Sequence, residues 1–145
     1  MPRTRSSKTR TRKSNKHTTV NSIMEIATDD INDDYCWGNY GNFKVIIMKK
    51  NGYINATKIV SDACEDKKFN DWASGEDAIE LIEAVAEFAR IPVDEIMITI
   101  TGGNDSTIRG TYAHPGLIPN IASWASPEFA IKMTKILRAY ANQFQ

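Results

Sequence analysis

The residues able to carry covalent or metal chemistry are few and scattered. The chain has two histidines, His17 and His114, and two cysteines, Cys36 and Cys64, with no CxxC pair. No His/Cys/Asp grouping has the spacing of a zinc site, and no GxSxG, P-loop or GxGxxG occurs. His114 stands beside Pro115, a setting that suits a structural role. Catalysis, a resident metal and a cofactor are therefore not expected. Clustered cationic side chains are plentiful, and their chemistry is the binding of phosphate.

The formal net charge is zero, but the charges are ordered along the chain. Residues 1–16 hold Arg3, Arg5, Lys8, Arg10, Arg12, Lys13 and Lys16 and no acid. Residues 17–40 hold five acids and no Lys or Arg. Further on, residues 44–68 and 106–145 are each net +3, whereas residues 69–105 are net −8. A surface polarised in this way suits a polyanion on one side. The first stretch has almost nothing apolar and cannot offset the entropy of ordering, so residues 1–34 read as a disordered basic arm and an acidic linker. The arm suits non-specific phosphate contacts, a nuclear import signal or a solubilising tail. The acidic segment 25–34 is a counterpart that the arm can meet when no polyanion is present. The basic N-terminus lacks the apolar stretch of a secretory signal, and no apolar run approaches the roughly eighteen residues of a membrane span. No membrane partner is expected, and the sparse cysteines favour an intracellular location.

Residues 35–145 read as one α+β domain. Tyr35, Trp37 and Tyr40 mark its start, and Phe43 to Met48 reads as a strand. Asn51-Gly52 is hairpin-turn chemistry, and Asn55 or Thr57 can cap a helix running to about Glu65. Residues 67–72 read as a connector, and Ser74 to Asp77 as a capping box. The helix that follows has a stripe of Ala78, Leu81, Ile82, Val85 and Ala89 opposite Glu76, Glu80, Glu83 and Glu87. Those glutamates cannot lie against phosphates, yet they offer a surface to a basic protein partner.

A second hairpin is predicted around Gly102-Gly103-Asn104-Asp105, between alternating Ile96, Ile98, Ile100 and the return to Tyr112. Pro115 and Pro119 bound a short apolar helix, and Ser126-Pro127-Glu128 opens a last one. On that last helix Phe129, Met133, Ile136, Leu137, Tyr140 and Phe144 share a face. A protruding hairpin braced by a small helix is one way to build the wing of a winged helix, and it is also simply a structural hairpin.

Four motifs together carry a family resemblance: Gly52-Tyr-Ile-Asn-Ala-Thr-Lys-Ile59, Phe69-Asn-Asp-Trp72, Arg109-Gly-Thr-Tyr-Ala-His-Pro-Gly-Leu-Ile-Pro119 and Ala122-Ser-Trp-Ala-Ser-Pro-Glu-Phe-Ala130. In this order they resemble the KilA-N domain of large DNA viruses and phages, a relative of the fungal APSES DNA-binding domain. The resemblance spans residues 38–143 or so. It implies a small winged-helix-like α+β domain with two hairpins and about four helices that binds duplex DNA without catalysis. By the same resemblance Gly102, Gly103 and Arg109 approach DNA. The glutamate helix departs from the family's usual basic character, and Asp105 offsets Arg109 in the wing. Some viral relatives add a RING finger, for which two cysteines supply no ligand set.

The combined expectation is a non-catalytic viral-type DNA-binding protein, located in the host nucleus or at a viral replication site. Arg109 would reach a base edge or a narrow groove, with Asn104, Ser106 and Thr107 making polar contacts from the wing. Lys49, Lys50, Lys58, Lys67 and Lys68 would position phosphates, assisted by the arm. The alternative is a protein-interaction module that uses the acidic helix face.

Overall fold

The computed structural model describes residues 23–142. Its centre is one antiparallel sheet of six strands in the order β1-β2-β3-β4-β6-β5. Strands β2 (Tyr35–Tyr40) and β3 (Phe43–Met48) form a hairpin closed at Gly41-Asn42, where Gly41 has φ +60°. A positive φ is what a two-residue hairpin turn requires, and glycine adopts it without a Cβ clash. Strand β1 (Ala27–Asp30) adds to the outer edge of β2. Strand β4 (Ile54–Asn55) is only two residues long, yet it joins β3 to β6 (Gly110–Ala113), which pairs in turn with β5 (Met97–Ile100).

Both faces of the sheet are covered, and so β3 reads as an unbroken apolar run, with Val45 to Met48 all buried. One face carries Cys36, Val45, Ile47, Ile54 and Ala113 against the helices. These are α1 (Ala56–Ala63), α2 (Phe69–Ala73), α3 (Glu76–Ala89) and α4 (Ile118–Ala125), joined by Phe129 from α5 (Pro127–Asn142). The other face gathers Tyr35, Ile46, Met48, Tyr53 and Tyr112, with Ile31 and Ile108 packed on them. Tyr35 and Tyr112 meet there with ring centroids 5.4 Å apart.

Several expectations are corrected. Regular structure does not wait for Tyr35: β1 lies in the acidic stretch taken as linker, and Ile23, Met24, Ile26 and Ala27 pack on the core. Asp30 in β1 pairs with Lys49 at 2.9 Å, so this part of the acidic segment is bound within the fold. The connector 67–72 contains α2, whose Phe69 and Trp72 are buried. Trp72 Nε1 donates to Asn120 Oδ1 at 2.8 Å and ties α2 to α4. No capping box forms at Ser74; Gly75 is the N-cap of α3, and Glu76 and Asp77 complement the helix dipole from its first turn. The side chains of Ala78, Ile82 and Ala86 are buried, while Leu81, Val85 and Ala89 are half-buried. Among the described residues there are five helices of five or more residues, one more than expected. The side chains of Ile136, Leu137 and Tyr140, and all of Phe144, lie outside the description.

The strand-to-helix turn after β6 depends on a neutral histidine. His114 Nδ1 accepts from the Gly116 N–H at 2.9 Å, and the ring meets Tyr53 edge-on. Burial lowers the His114 pKa below its ordinary value of 6.5. Between the lowered folded value and the ordinary unfolded one, the unfolded chain binds more protons. This contribution to stability is therefore complete above pH 6.5 and is lost as pH falls through the folded pKa. Urea unfolding at pH 7 and pH 5 should show a larger fall in midpoint for the wild type than for His114→Asn, which keeps an acceptor but cannot titrate.

Candidate nucleic-acid interface

The geometry around the second hairpin is organised by Asn55, a polar side chain only 1% exposed. It ends β4 and caps α1: its Oδ1 accepts from the Lys58 N–H at 3.0 Å. Its Nδ2 donates to the carbonyl of Arg109 at 3.0 Å. One side chain thus satisfies an orphan helix amide and fixes the point where the loop from β5 re-enters the sheet. Beside it, Thr57 Oγ1 accepts from the Thr111 N–H at 2.9 Å. Gly110 passes so close that a Cβ there would lie 2.7 Å from Asn55 Oδ1, and its φ of +137° excludes L side chains. Tyr112 closes the same corner, its hydroxyl donating to the Ile108 carbonyl at 2.6 Å. Burial raises the Tyr112 pKa, so the phenol stays protonated and keeps this bond.

The loop 101–109 is more structured than a tight Gly-Gly turn. Asp105 Oδ1 accepts from the Thr107 N–H at 2.9 Å and opens a 3₁₀ turn over Ser106–Ile108. Ile108 packs on the second sheet face. Arg109 is exposed, and its Nη2 donates to the Gly103 carbonyl at 2.8 Å, which folds its side chain back along the loop. Gly102, Gly103, Asn104, Ser106 and Thr107 are all exposed, and space is open around both glycines.

The predicted lysines do not form one cluster. In the sheet register Ile47, Ile54, Ala113 and Met97 lie level, and the loop leaves from the opposite, Ile100–Gly110 end. Lys49 and Lys50 sit on the β3–β4 turn, beyond the first of these levels, and Lys49 is paired with Asp30. Lys67 Nζ donates to the Trp124 carbonyl at 2.7 Å and stands 4.7 Å from the Trp124 ring centre, capping the C-terminal end of α4. Lys68 is exposed at the N-terminus of α2. Lys58 pairs with Asp62 and is the one predicted lysine placed next to Asn55 and the loop anchor. Sequence reasoning missed Lys44, on the loop end of β3, whose Nζ stands 4.5 Å over the Trp37 ring. Its signal was the polar position at the start of an apolar strand, level with Gly110 only after pairing.

Glu76, Glu80, Glu83 and Glu87 are exposed on α3, in the helical layer. Phe88, on the same helix, is 92% exposed. The arm residues Arg3, Arg5, Lys8, Arg10, Arg12, Lys13 and Lys16 lie outside the described residues. Among those described, no group of three His, Cys, Asp or Glu is placed to hold a metal, and no helix is long and apolar enough to cross a membrane.

Asn55→Ala should lower stability by about 2–4 kcal/mol, from the lost cap together with the unpaired Arg109 carbonyl. Asn55→Asp keeps the cap acceptor but sets a buried carboxylate oxygen against the Arg109 carbonyl, and at pH 7 it should cost at least as much. Equilibrium urea unfolding checks both; a change in Asn55→Ala within about 0.5 kcal/mol, the range of an ordinary surface substitution, would show that the bonds carry no weight.

Comparison with known proteins gives a consistent picture. A family model, described as the KilA-N domain, matches residues 38–143. A KilA-N domain-containing protein of Acanthamoeba polyphaga mimivirus is 48% identical over 120 residues, which is 83% of this chain and 35% of that protein. A second mimivirus protein of the same description is 47% identical over 114 residues, 77% of this chain and 32% of its own. An uncharacterized protein of fowlpox virus (strain NVSL) is 35% identical over 120 residues, 81% of this chain and 78% of its own. The chain spans about a third of the length of those two mimivirus relatives. No solved structure matches it.

Proposed function

The chain belongs to the KilA-N domain family, and from that premise we propose that it is a non-catalytic module that binds double-stranded DNA, with the loop 101–109 as its wing. The observation that carries this reading is the anchoring of that loop. Asn55 holds the Arg109 carbonyl and the first turn of α1 together, and the exposed Arg109 guanidinium is held back against the Gly103 carbonyl. Pre-positioned donors of this kind lose less entropy on binding than free side chains do.

Arg109 supplies the groove or base contact, and Gly102 and Gly103 allow close backbone approach. Asn104, Ser106 and Thr107 add polar contacts. Lys58 positions a phosphate next to the wing, and Lys50 and Lys68 add outlying ones. Lys49 and Lys67 are held by Asp30 and Trp124 and contribute field more than contact. Arg3, Arg5, Lys8, Arg10, Arg12, Lys13 and Lys16 supply sequence-independent affinity. The site of action is the host nucleus or a viral replication site. The acidic surface of α3 supports a second reading, a docking face for a basic protein, favoured by the exposed Phe88 beside Glu87.

Binding of the full chain to duplex DNA across a salt series tests this. Arg109→Ala should cost about 1–3 kcal/mol on a preferred sequence and less on others. Arg109→Lys keeps the charge and should recover only part, because it loses the planar donor that reaches the Gly103 carbonyl. Replacing the seven arm cations with Gln should flatten the salt slope while sequence preference survives. If Arg109→Ala changes nothing and the arm variant abolishes binding, the wing is only structural and the docking reading takes its place.

A further inference from the structure

Three cationic or aromatic side chains converge at the loop end of the sheet. Trp37 comes from β2, Lys44 from β3 and Lys58 from the first turn of α1. Lys44 Nζ lies 4.5 Å and Lys58 Nζ 5.9 Å from the centre of the Trp37 ring. Trp37 is half-buried, packed on the second sheet face with Ile46 and Tyr112 in its cluster, so the ring has a firm backing.

An indole attracts an ammonium through its quadrupole and carries no net charge of its own. A carboxylate would hold a lysine equally well but would neutralise it. Lys44 is therefore localised with its charge intact, and it has no ion-pair partner among the described residues. Lys58 shares its charge with Asp62, on the next turn of the same helix. The chain thus invests a large aromatic in holding cations at one spot, next to the residue that anchors Arg109. A stacked base would have to displace Lys44 from the ring face; an oxyanion would not.

We propose that Trp37, Lys44 and Lys58 form a phosphodiester clamp, in which the indole sets the two ammonium groups around one backbone phosphate of the bound strand. It takes its ligand from the DNA reading above, and it assigns to Lys44 and Trp37 a role that lysine clustering along the sequence does not reveal. Trp37 is a positioning residue; the two lysines make the contacts.

The test follows the indole N–H resonances of the full chain by NMR, with Trp37 assigned through Trp37→Phe. Two probes are titrated separately: a short random-sequence duplex and inorganic pyrophosphate. The Trp37 signal should move with both, and Lys44→Gln should abolish both movements. Trp37→Leu, which removes no charge, should weaken duplex binding roughly twofold to fivefold. Lys44→Gln should cost less in the Trp37→Leu background than alone, as expected of coupled residues. Lys44 is exposed, so its Gln variant keeps the fold if Trp37→Leu does not. If the duplex shifts other resonances and leaves Trp37 unmoved, or if the movement persists in Lys44→Gln, the clamp is overturned and the DNA reading stands. If pyrophosphate moves Trp37 while the duplex binds nowhere, the anion clamp holds and the DNA reading falls. If neither probe moves it and the duplex binds nowhere, both fall.

Discussion

The amide of Asn55 is the contact on which the placement of everything nearby depends. Burying an amide costs several kcal/mol unless its donors and acceptor are used. Here the oxygen caps α1 and the nitrogen holds the Arg109 carbonyl, so the burial is compensated and two distant pieces of chain are locked together. The consequences spread outwards. Gly110 must be glycine, because a side chain would occupy the amide's place. Strand β4 can be two residues long, because its end is held by side-chain bonds as well as by the ladder. The loop 101–109 leaves the sheet at a defined point, with its Arg109 clasped to Gly103.

Charge along the chain and charge available on the surface differ. Lys49 neutralises an aspartate of β1, and Lys67 caps α4 against the Trp124 ring. Each stabilises the fold at the expense of freedom to meet a ligand. Lys44, over the Trp37 ring, remains at the loop end of the sheet without an ion-pair partner among the described residues, and Lys58 beside it shares its charge with Asp62. Meanwhile α3 carries its glutamates in the helical layer, whose apolar stripe faces the other side of the sheet. Polarity of this kind arises from the amphipathic period of one helix and the register of three strands, with no long-range rule required.

Local signals were legible where local physics dominates. The Asn51-Gly52 turn, the Asn55 cap and the stripe of α3 all follow from neighbours within a few residues, and each formed. Strand β1 was missed because an acidic, mostly exposed edge strand has neither apolar alternation nor β-branched enrichment; its strand character comes from β2. Helix α2 was missed because five residues cannot show a helical period, and burial of Phe69 and Trp72 holds it. The two roles of Asn55 span 54 residues, and the Lys67 cap spans 57. No window of sequence contains both partners, so which lysines are occupied became visible only in the fold.

Hydrogen exchange of the full chain, with and without excess duplex DNA, tests the central claim most directly, because it reports where the duplex rests without altering any residue. The account predicts new protection at residues 55–58 and 101–111, with the amides of α3 unchanged. Protection confined to α3, or binding that leaves every amide of residues 23–142 at its free rate, would contradict it.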